Sequence, residues 1–271
     1  MLRPAVRVGP RSAAVLVLVS VAGLAMFAWP LLVPVDADGS QHVQDAPFVF
    51  LLVLPALVAV VLAQFSEGGM DSKALAMLGV LSAVNAALRP TLGAGTAGIE
   101  SVFFLLVLAG RVFGPGFGFV LGCTSLFASA LLTAGVGPWL PFQMLTSAWI
   151  GLGAGLLPRR VRGRAEVAML VVYGVLAAYL FGLLMNLWFW PFAVGVGGGS
   201  DLAYVPGAPL SENVPRFLVF TLLTSTGGWD TGRAVTNAVA ILLLGPPLLV
   251  VLRRAARRAS YGPLVGNNVR R

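Results

Sequence analysis

The feature that most constrains this chain is a series of apolar runs, several of them long enough to cross a bilayer. Residues 13–32, for example, contain no charged side chain, and about 20 apolar residues make one helical crossing. Only 10% of all residues are charged, whereas a soluble domain has about 25%. Because a bilayer offers no water to unpaired backbone groups, such runs must be helical. The sequence therefore predicts an all-α integral membrane protein.

We predict about eight transmembrane helices from these runs. They cover residues 13–32, 47–63, 73–88, 99–113, 116–134, 140–157, 165–192 and 232–252. A short apolar run at 217–224 and a Gly-rich break at 226–230 precede the last of them. The first run follows three arginines, as in a signal peptide. It ends in Trp-Pro rather than in a small-residue cleavage site, so we expect a retained helix.

The distribution of positive charge predicts the orientation of these spans. With both termini in the cytoplasm, the segments on the cytoplasmic side hold all but three of the 18 Lys and Arg residues. The exceptions are Arg89, Arg216 and Arg233. This asymmetry is what the positive-inside rule describes for a plasma-membrane protein. It also accounts for the net charge of +8 without nucleic acid, because basic loops face anionic lipid.

The third predicted span combines a smooth helical face with a polar end. The face is formed by Gly79, Ala83 and Ala87. Residues four apart lie on one side of a helix, and such small-residue stripes allow another helix to approach closely in lipid. Arg89 ends the span and Glu100 follows it, and charges so close to hydrocarbon raise a functional question. We therefore predict a face that docks a partner and a polar site at its end.

Polar and aromatic side chains gather at the predicted outer ends of the last six helices. The candidates for binding a solute are Arg89, Glu100, Trp139, Gln143, Asn186, Trp190, Trp229 and Asp230. A structural role is also possible for these residues. Tryptophans often lie at the membrane surface. Arg89 can form a structural ion pair with Glu100, and Asp230 can cap a helix. A concave apolar site with a few polar groups is the usual way to hold a small molecule, so we expect one shared cavity. Gly-rich loops at 93–98, 135–138 and 195–200 flank this side.

Motifs for metal or nucleotide binding are missing from the sequence. The chain has a single cysteine and a single histidine. None of its Gly-rich loops is followed by the Lys-Ser/Thr pair of a nucleotide-binding loop. We therefore expect no metal site, no cofactor and no ATP site. Active transport by this chain would need another subunit or an ion gradient.

Three segments resemble a known family. They are GRVFGPGFGFVLG (110–122), GVGPWLPFQMLTSAWIGLGAGLLP (135–158) and ENVPRFLVF with GGWDTGRAV (212–220 and 227–235). Together they resemble the S component, the substrate-specific subunit, of energy-coupling-factor (ECF) vitamin transporters in its actinobacterial form. The resemblance implies a six-helix core over 71–255. That core would follow two extra helices in 1–70 and precede a basic tail, 256–271.

The resemblance also implies a mechanism. It implies an extracellular solute site and docking on a transmembrane T component through small residues of the first core helix, which the stripe at 79–87 fits. Two cytoplasmic ATPases would drive the cycle. Family members carry several vitamins or metal ions, and metal-binding members have a His-containing N-terminus, whereas this chain has only His42. An organic, partly planar vitamin is favoured by the six tryptophans and the mixed polar set, with cobalamin or a related corrinoid first.

Two other functional classes stay open at this point. One is a membrane enzyme of the outer leaflet that uses Arg89, Glu100 and Asp230 as acid and base groups. Such an enzyme needs a nucleophile or paired carboxylates within reach, and the sequence has no such pair at helical spacing. The other is a structural or assembly membrane protein, which has no need of an Arg–Glu pair at membrane depth.

Overall fold

The computed structural model of the protein describes residues 8–32, 52–63, 72–91, 99–192, 202–205 and 207–260. These ranges form eight helices of more than ten residues, and none of the described residues lies in a strand. The first seven are α1 (Pro10–Phe27), α2 (Leu52–Ala63), α3 (Ser72–Thr91), α4 (Val102–Phe113), α5 (Pro115–Leu132), α6 (Leu140–Leu156) and α7 (Arg164–Phe189). The last, α8, has three consecutive parts, Leu210–Thr221, Leu222–Asp230 and Thr231–Ser260. The predicted all-helical class is confirmed.

Four of these helices are long and apolar enough to cross a membrane. They are α1, α5, α7 and the stretch Leu210–Arg257 of α8. The helices α2 and α4 are shorter but also apolar. Several predicted segments lie outside the described residues: the start of the second span, the Gly-rich loops at 93–98 and 195–200, and the tail beyond residue 260.

The predicted break at 226–230 is wrong. The helix continues through it, because Leu222–Asp230 is π-helical and joins the two α-helical parts of α8. A π-helix bonds each residue to the fifth one along, and two side-chain bonds repeat that spacing. Ser225 Oγ donates to Asp230 Oδ2 at 2.8 Å, and Thr231 Oγ1 donates to the Thr226 carbonyl at 2.6 Å. These bonds offset the low helix propensity of the two glycines at 227 and 228.

The helices α5 and α6 form the tightest part of the core, because glycines let their backbones touch. Gly118 and Gly151 face each other so closely that a Cβ atom on either would overlap the backbone of the other. Small residues at such crossings let transmembrane helices gain van der Waals contact along their length. The pair α5–α6 therefore forms a rigid wall on which the other helices pack.

The helix α3 is bonded to this wall along one face only. Ser82 lies 2.7 Å from Thr124, and Asn85 Nδ2 donates to Ser125 Oγ at 3.0 Å. The opposite face carries the small-residue stripe, which is formed by Gly79, Ala83 and Ala87. All three residues are exposed, and the Cα of Gly79 has open space beside it. Among the described residues, nothing covers the stripe.

The two N-terminal helices pack on other sides of the bundle. On α1, Ser20 Oγ accepts a hydrogen bond from Trp149 Nε1 at 2.9 Å, and the ring of Phe27 lies 5.0 Å from that of Phe142. Three residues of α2 are buried in the same hydrophobic core: Leu54, Val58 and Val61. Both helices thus contribute to the core without reaching the exposed face of α3.

Candidate functional site

A cavity of about 320 Å³ opens between α6, α7 and α8, at one end of the bundle. We call it the solute cavity. Its lining combines aromatic rings, two amides, two hydroxyls and one charged pair: Gln143, Phe181, Gly182, Met185, Asn186, Phe189, Phe220, Thr224, Ser225, Trp229, Asp230 and Arg233. The volume lies near the lower end of the range of about 300–1,000 Å³ that is usual for small-molecule sites.

Four of the eight predicted binding residues line this cavity. They are Gln143, Asn186, Trp229 and Asp230. They come from the first turn of α6, the last turn of α7 and the π-helical part of α8, which meet at this end of the bundle. Half of the predicted set thus meets at one cavity, and the binding of a solute by these residues stays a prediction.

The charged residues around the cavity form one connected network. Arg233 donates from Nη1 to Asp230 Oδ1 and from Nε to Glu100 Oε2, both at 3.0 Å. Glu100 Oε1 lies 3.9 Å from Arg89 Nη2. Two cations and two carboxylates make the network neutral in sum. Arg89 and Glu100 thus do not line the cavity themselves, and they reach it through Arg233.

Arg233 also lines the cavity, although it is not among the eight residues predicted to bind a solute. It is 8% exposed, and its guanidinium lies 4.9 Å from the ring centroid of Phe181 and 5.9 Å from that of Phe103. Cation–π contact and two carboxylates compensate the removal of this charge from water. Its spacing of three residues from Asp230 is visible in the sequence, which places both residues at the predicted outer end of the last helix.

Two amide side chains of the lining have polar atoms with no partner among the described residues. Asn186 Nδ2 is buried and has no hydrogen-bond partner among the described residues. The side chain of Gln143 likewise makes no hydrogen bond in the described part of the chain. A buried polar group that stays unbonded costs about 1–3 kcal/mol. A solute with hydrogen-bonding groups would satisfy both amides.

The other two predicted tryptophans lie outside the solute cavity. Trp139 is 43% exposed, and its Nε1 donates to the Gly135 carbonyl at 3.3 Å. Trp190 is buried, and its Nε1 donates to the Leu202 carbonyl at 2.8 Å. Its ring packs on Tyr204 and Phe217, so it holds the described loop residues against the start of α8.

The aromatic lining sets what the cavity can hold. Phe181, Phe189 and Trp229 present ring faces or edges to the space between α7 and α8. Flat ligands gain stacking area from such rings. The site as a whole has aromatic walls, amides without a hydrogen-bond partner among the described residues, and a neutral charge network. This combination suits a planar organic solute with several polar groups.

Comparison with known proteins identifies the family of this chain. The family described as "ECF transporter, substrate-specific component" matches residues 73–246. That match covers more than half of the chain, begins at α3 and ends within α8, and includes every residue of the solute cavity. No curated protein and no solved structure matches the chain. The chain thus belongs to the substrate-specific components of ECF transporters, which are multi-pass plasma-membrane subunits of transport systems and not enzymes.

Proposed function

We propose that the solute cavity captures a vitamin-like organic solute on the extracellular side of the membrane. The observation that carries this proposal is an aromatic cavity whose lining includes two amides with no hydrogen-bond partner among the described residues, the buried Asn186 Nδ2 and the half-buried Gln143. A buried donor without a partner is costly, and a bound solute would supply the partner of Asn186 Nδ2. Family membership makes the chain a subunit that selects a substrate, and this cavity is the site that we assign to that task.

The size of the cavity bears on the class of solute. A space of about 320 Å³ lies near the lower end of the usual range for small-molecule sites, which favours a single flat ring system with a short side chain. A corrinoid is the first candidate from the sequence. It is larger than this cavity and would extend past the rim between α7 and α8. The side chains nearest that rim are Trp229, which is 40% exposed, and Phe189, which is 43% exposed. We therefore propose two solutes to be tested against each other: a corrinoid that overlaps the rim, and a smaller planar vitamin that is enclosed.

The exposed face of α3 supports the second half of the proposal, which is delivery to a T component. Gly79, Ala83 and Ala87 are exposed along one side, while Ser82 and Asn85 bond the other side to α5. A helix held in this way offers a smooth and fixed surface to a partner helix. We propose that a T component docks there and that two cytoplasmic ATPases drive the release of the solute. In the same proposal the chain has three parts. The docking core, 71–255, lies between the two N-terminal helices of 1–70 and the basic tail, 256–271.

The sharpest test is to identify the solute. The full chain would be purified in detergent from cells grown with a mixture of vitamins, and the released small molecules would be analysed by mass spectrometry. The double variant Gln143→Ala/Asn186→Ala serves as the control, since it keeps the fold and removes both unbonded amides. We expect one vitamin that is enriched with the wild-type chain and depleted with the variant. Equal recovery from both proteins, or recovery of no vitamin at all, would contradict the proposed site.

A further inference from the structure

A second cavity, of about 420 Å³, lies at the other end of the bundle. Its charged lining is Arg111, Arg159, Arg162, Glu166, Arg253 and Arg257. On α8, Arg253 follows Arg233 by 20 residues, which at 1.5 Å per residue separates the two cavities by about 30 Å. Five arginines and one glutamate give this wall a net charge of +4. We call it the arginine recess, and capture of a solute makes no use of it.

The one acid in the recess is already neutralised by two arginines. Glu166 is 1% exposed and accepts a hydrogen bond from Arg111 Nε at 2.7 Å. Arg253 Nη2 donates to both of its carboxylate oxygens, at 2.6 and 2.7 Å. Arg111 is fully engaged, since its two terminal nitrogens donate to the carbonyl oxygens of Leu157 and Val161, both at 2.9 Å. These bonds build a fixed floor and leave Glu166 no capacity to pair with the remaining arginines.

The three other arginines are free to hold a ligand. Within the described part of the chain, the side chains of Arg159, Arg162 and Arg257 make no ion pair and no hydrogen bond. Three like charges around one recess repel each other unless an anion lies between them. A guanidinium group matches the oxygens of a phosphate with two parallel hydrogen bonds. The recess therefore has the charge and the donors for a phosphate group.

The position of the recess indicates where such a group would come from. It lies where α4 and α6 end, α7 begins and α8 leaves the apolar part of its length. Basic pockets between transmembrane helices at this depth bind anionic headgroups. We propose that the arginine recess binds a phosphate group, carried either by an anionic phospholipid of the adjacent leaflet or by a soluble phosphate compound.

The test compares two double variants with the same change in charge. The full chain in neutral detergent would be analysed by native mass spectrometry with phosphatidylglycerol, with phosphatidylcholine, and with inorganic phosphate as competitor. We expect retention of phosphatidylglycerol over phosphatidylcholine. Arg162→Gln/Arg257→Gln should weaken it by about tenfold for each charge-assisted bond that is lost. Arg160→Gln/Arg254→Gln changes neighbouring arginines that do not line the recess, and it should bind as the wild type does.

Each outcome has a defined meaning. Displacement of the lipid by inorganic phosphate supports the site with a soluble phosphate compound as its ligand. Retention of the lipid in the presence of phosphate supports the site with a headgroup as its ligand. Equal losses in the two double variants would show general attraction to a basic surface and would overturn the proposal. If the wild type binds neither phosphatidylglycerol nor inorganic phosphate, the proposal is also overturned. The arginines would then be assigned to contact with an acidic surface of a partner protein.

Discussion

Gly182 of α7 and Asp230 of α8 are in direct contact, and a Cβ atom on residue 182 would overlap the Asp230 carboxylate. Asp230 is 1% exposed and is held by Ser225 and Arg233. It therefore has little freedom to withdraw. This contact sets the separation of α7 and α8 at the wall of the solute cavity.

The contact predicts a large effect from a single methyl group. Gly182→Ala should push the Asp230 carboxylate away from Arg233 and destabilise the fold by about 1–3 kcal/mol, as other overpacked core sites do. Solute affinity should fall as well, because the cavity wall moves. Gly228→Ala is the matched control, since a Cβ atom there meets open space. Thermal unfolding and solute binding would be measured on both. Identical behaviour of the two variants would show that the Asp230 carboxylate is free to move.

The two cavity amides predict a loss of affinity without a loss of stability. Gln143→Ala and Asn186→Ala each remove an amide that has no partner in the described part of the chain. Each should weaken solute binding by about 1–3 kcal/mol and leave the melting temperature close to that of the wild type. Trp139→Ala, in an exposed side chain outside the cavity, should bind normally. Unchanged affinity in both amide variants would remove the solute from this cavity.

Substitutions in the exposed stripe on α3 should reduce delivery of the solute to the T component without reducing solute binding. Ala83→Leu and Ala87→Leu add bulk to a face that touches no described residue, so the isolated chain should still bind its solute. Close helix approach would be blocked, and co-purification with the T component and uptake into cells should both fall. Ala25→Leu, at an exposed position of α1, is the control. Loss of solute binding together with uptake would assign the stripe to internal packing.

We predict that Glu166 stabilises the fold at the other end of the bundle. Glu166→Gln leaves Arg111 and Arg253 without their shared carboxylate. Removing one member of a buried ion pair costs about 3–5 kcal/mol. Glu212→Gln changes an exposed acid and should leave stability unchanged. Thermal unfolding in detergent distinguishes the two, and an equal melting temperature for both variants would show that the buried pairs contribute nothing net.

The proposed orientation predicts which loops an impermeant reagent can reach. Cys123 is the one cysteine of the sequence and is buried, so Cys123→Ala provides a background for single labels. In intact cells, Val136→Cys in the loop between α5 and α6 should react with an impermeant maleimide. Arg160→Cys, between α6 and α7, should react only after the membrane is opened. The reverse pattern would place the solute cavity on the cytoplasmic side.

The helices could be predicted from sequence because each must be apolar over most of its surface. The span predicted at 165–192, for instance, corresponds to α7 at Arg164–Phe189 followed by one 3-10 turn. The ion pair of Arg89 with Glu100 could also be predicted, since the two residues are only 11 positions apart in the sequence. Arg233 was not, because its bond to Glu100 spans 133 residues and no local pattern encodes such a contact.

The tryptophans also show that the surroundings of a side chain cannot be predicted from its local sequence. Trp190 and Trp229 both lie near the predicted outer ends of helices, and both are predicted to bind a solute. Packing alone distinguishes them: Trp190 is enclosed by Tyr204 and Phe217, whereas Trp229 stands at the cavity. The π-helical part of α8 escaped prediction for a related reason. Its two glycines indicate a break, and the side-chain bonds that hold it together are visible only in three dimensions.

That π-helical part also restricts how the chain can change in length. Its turn holds more residues than an α-helical turn, so it is in effect an insertion that the helix has absorbed. An α-helix rotates by about 100° per residue. Deleting one residue from an α-helical part of a helix would therefore rotate the segments on either side by about that angle. Deleting one residue between Leu222 and Asp230 would instead remove the absorbed insertion, so that Phe217 would stay against Trp190 and Phe220 at the cavity. Losses of single residues are therefore expected within the π-helical part, and not in the flanking α-helical parts.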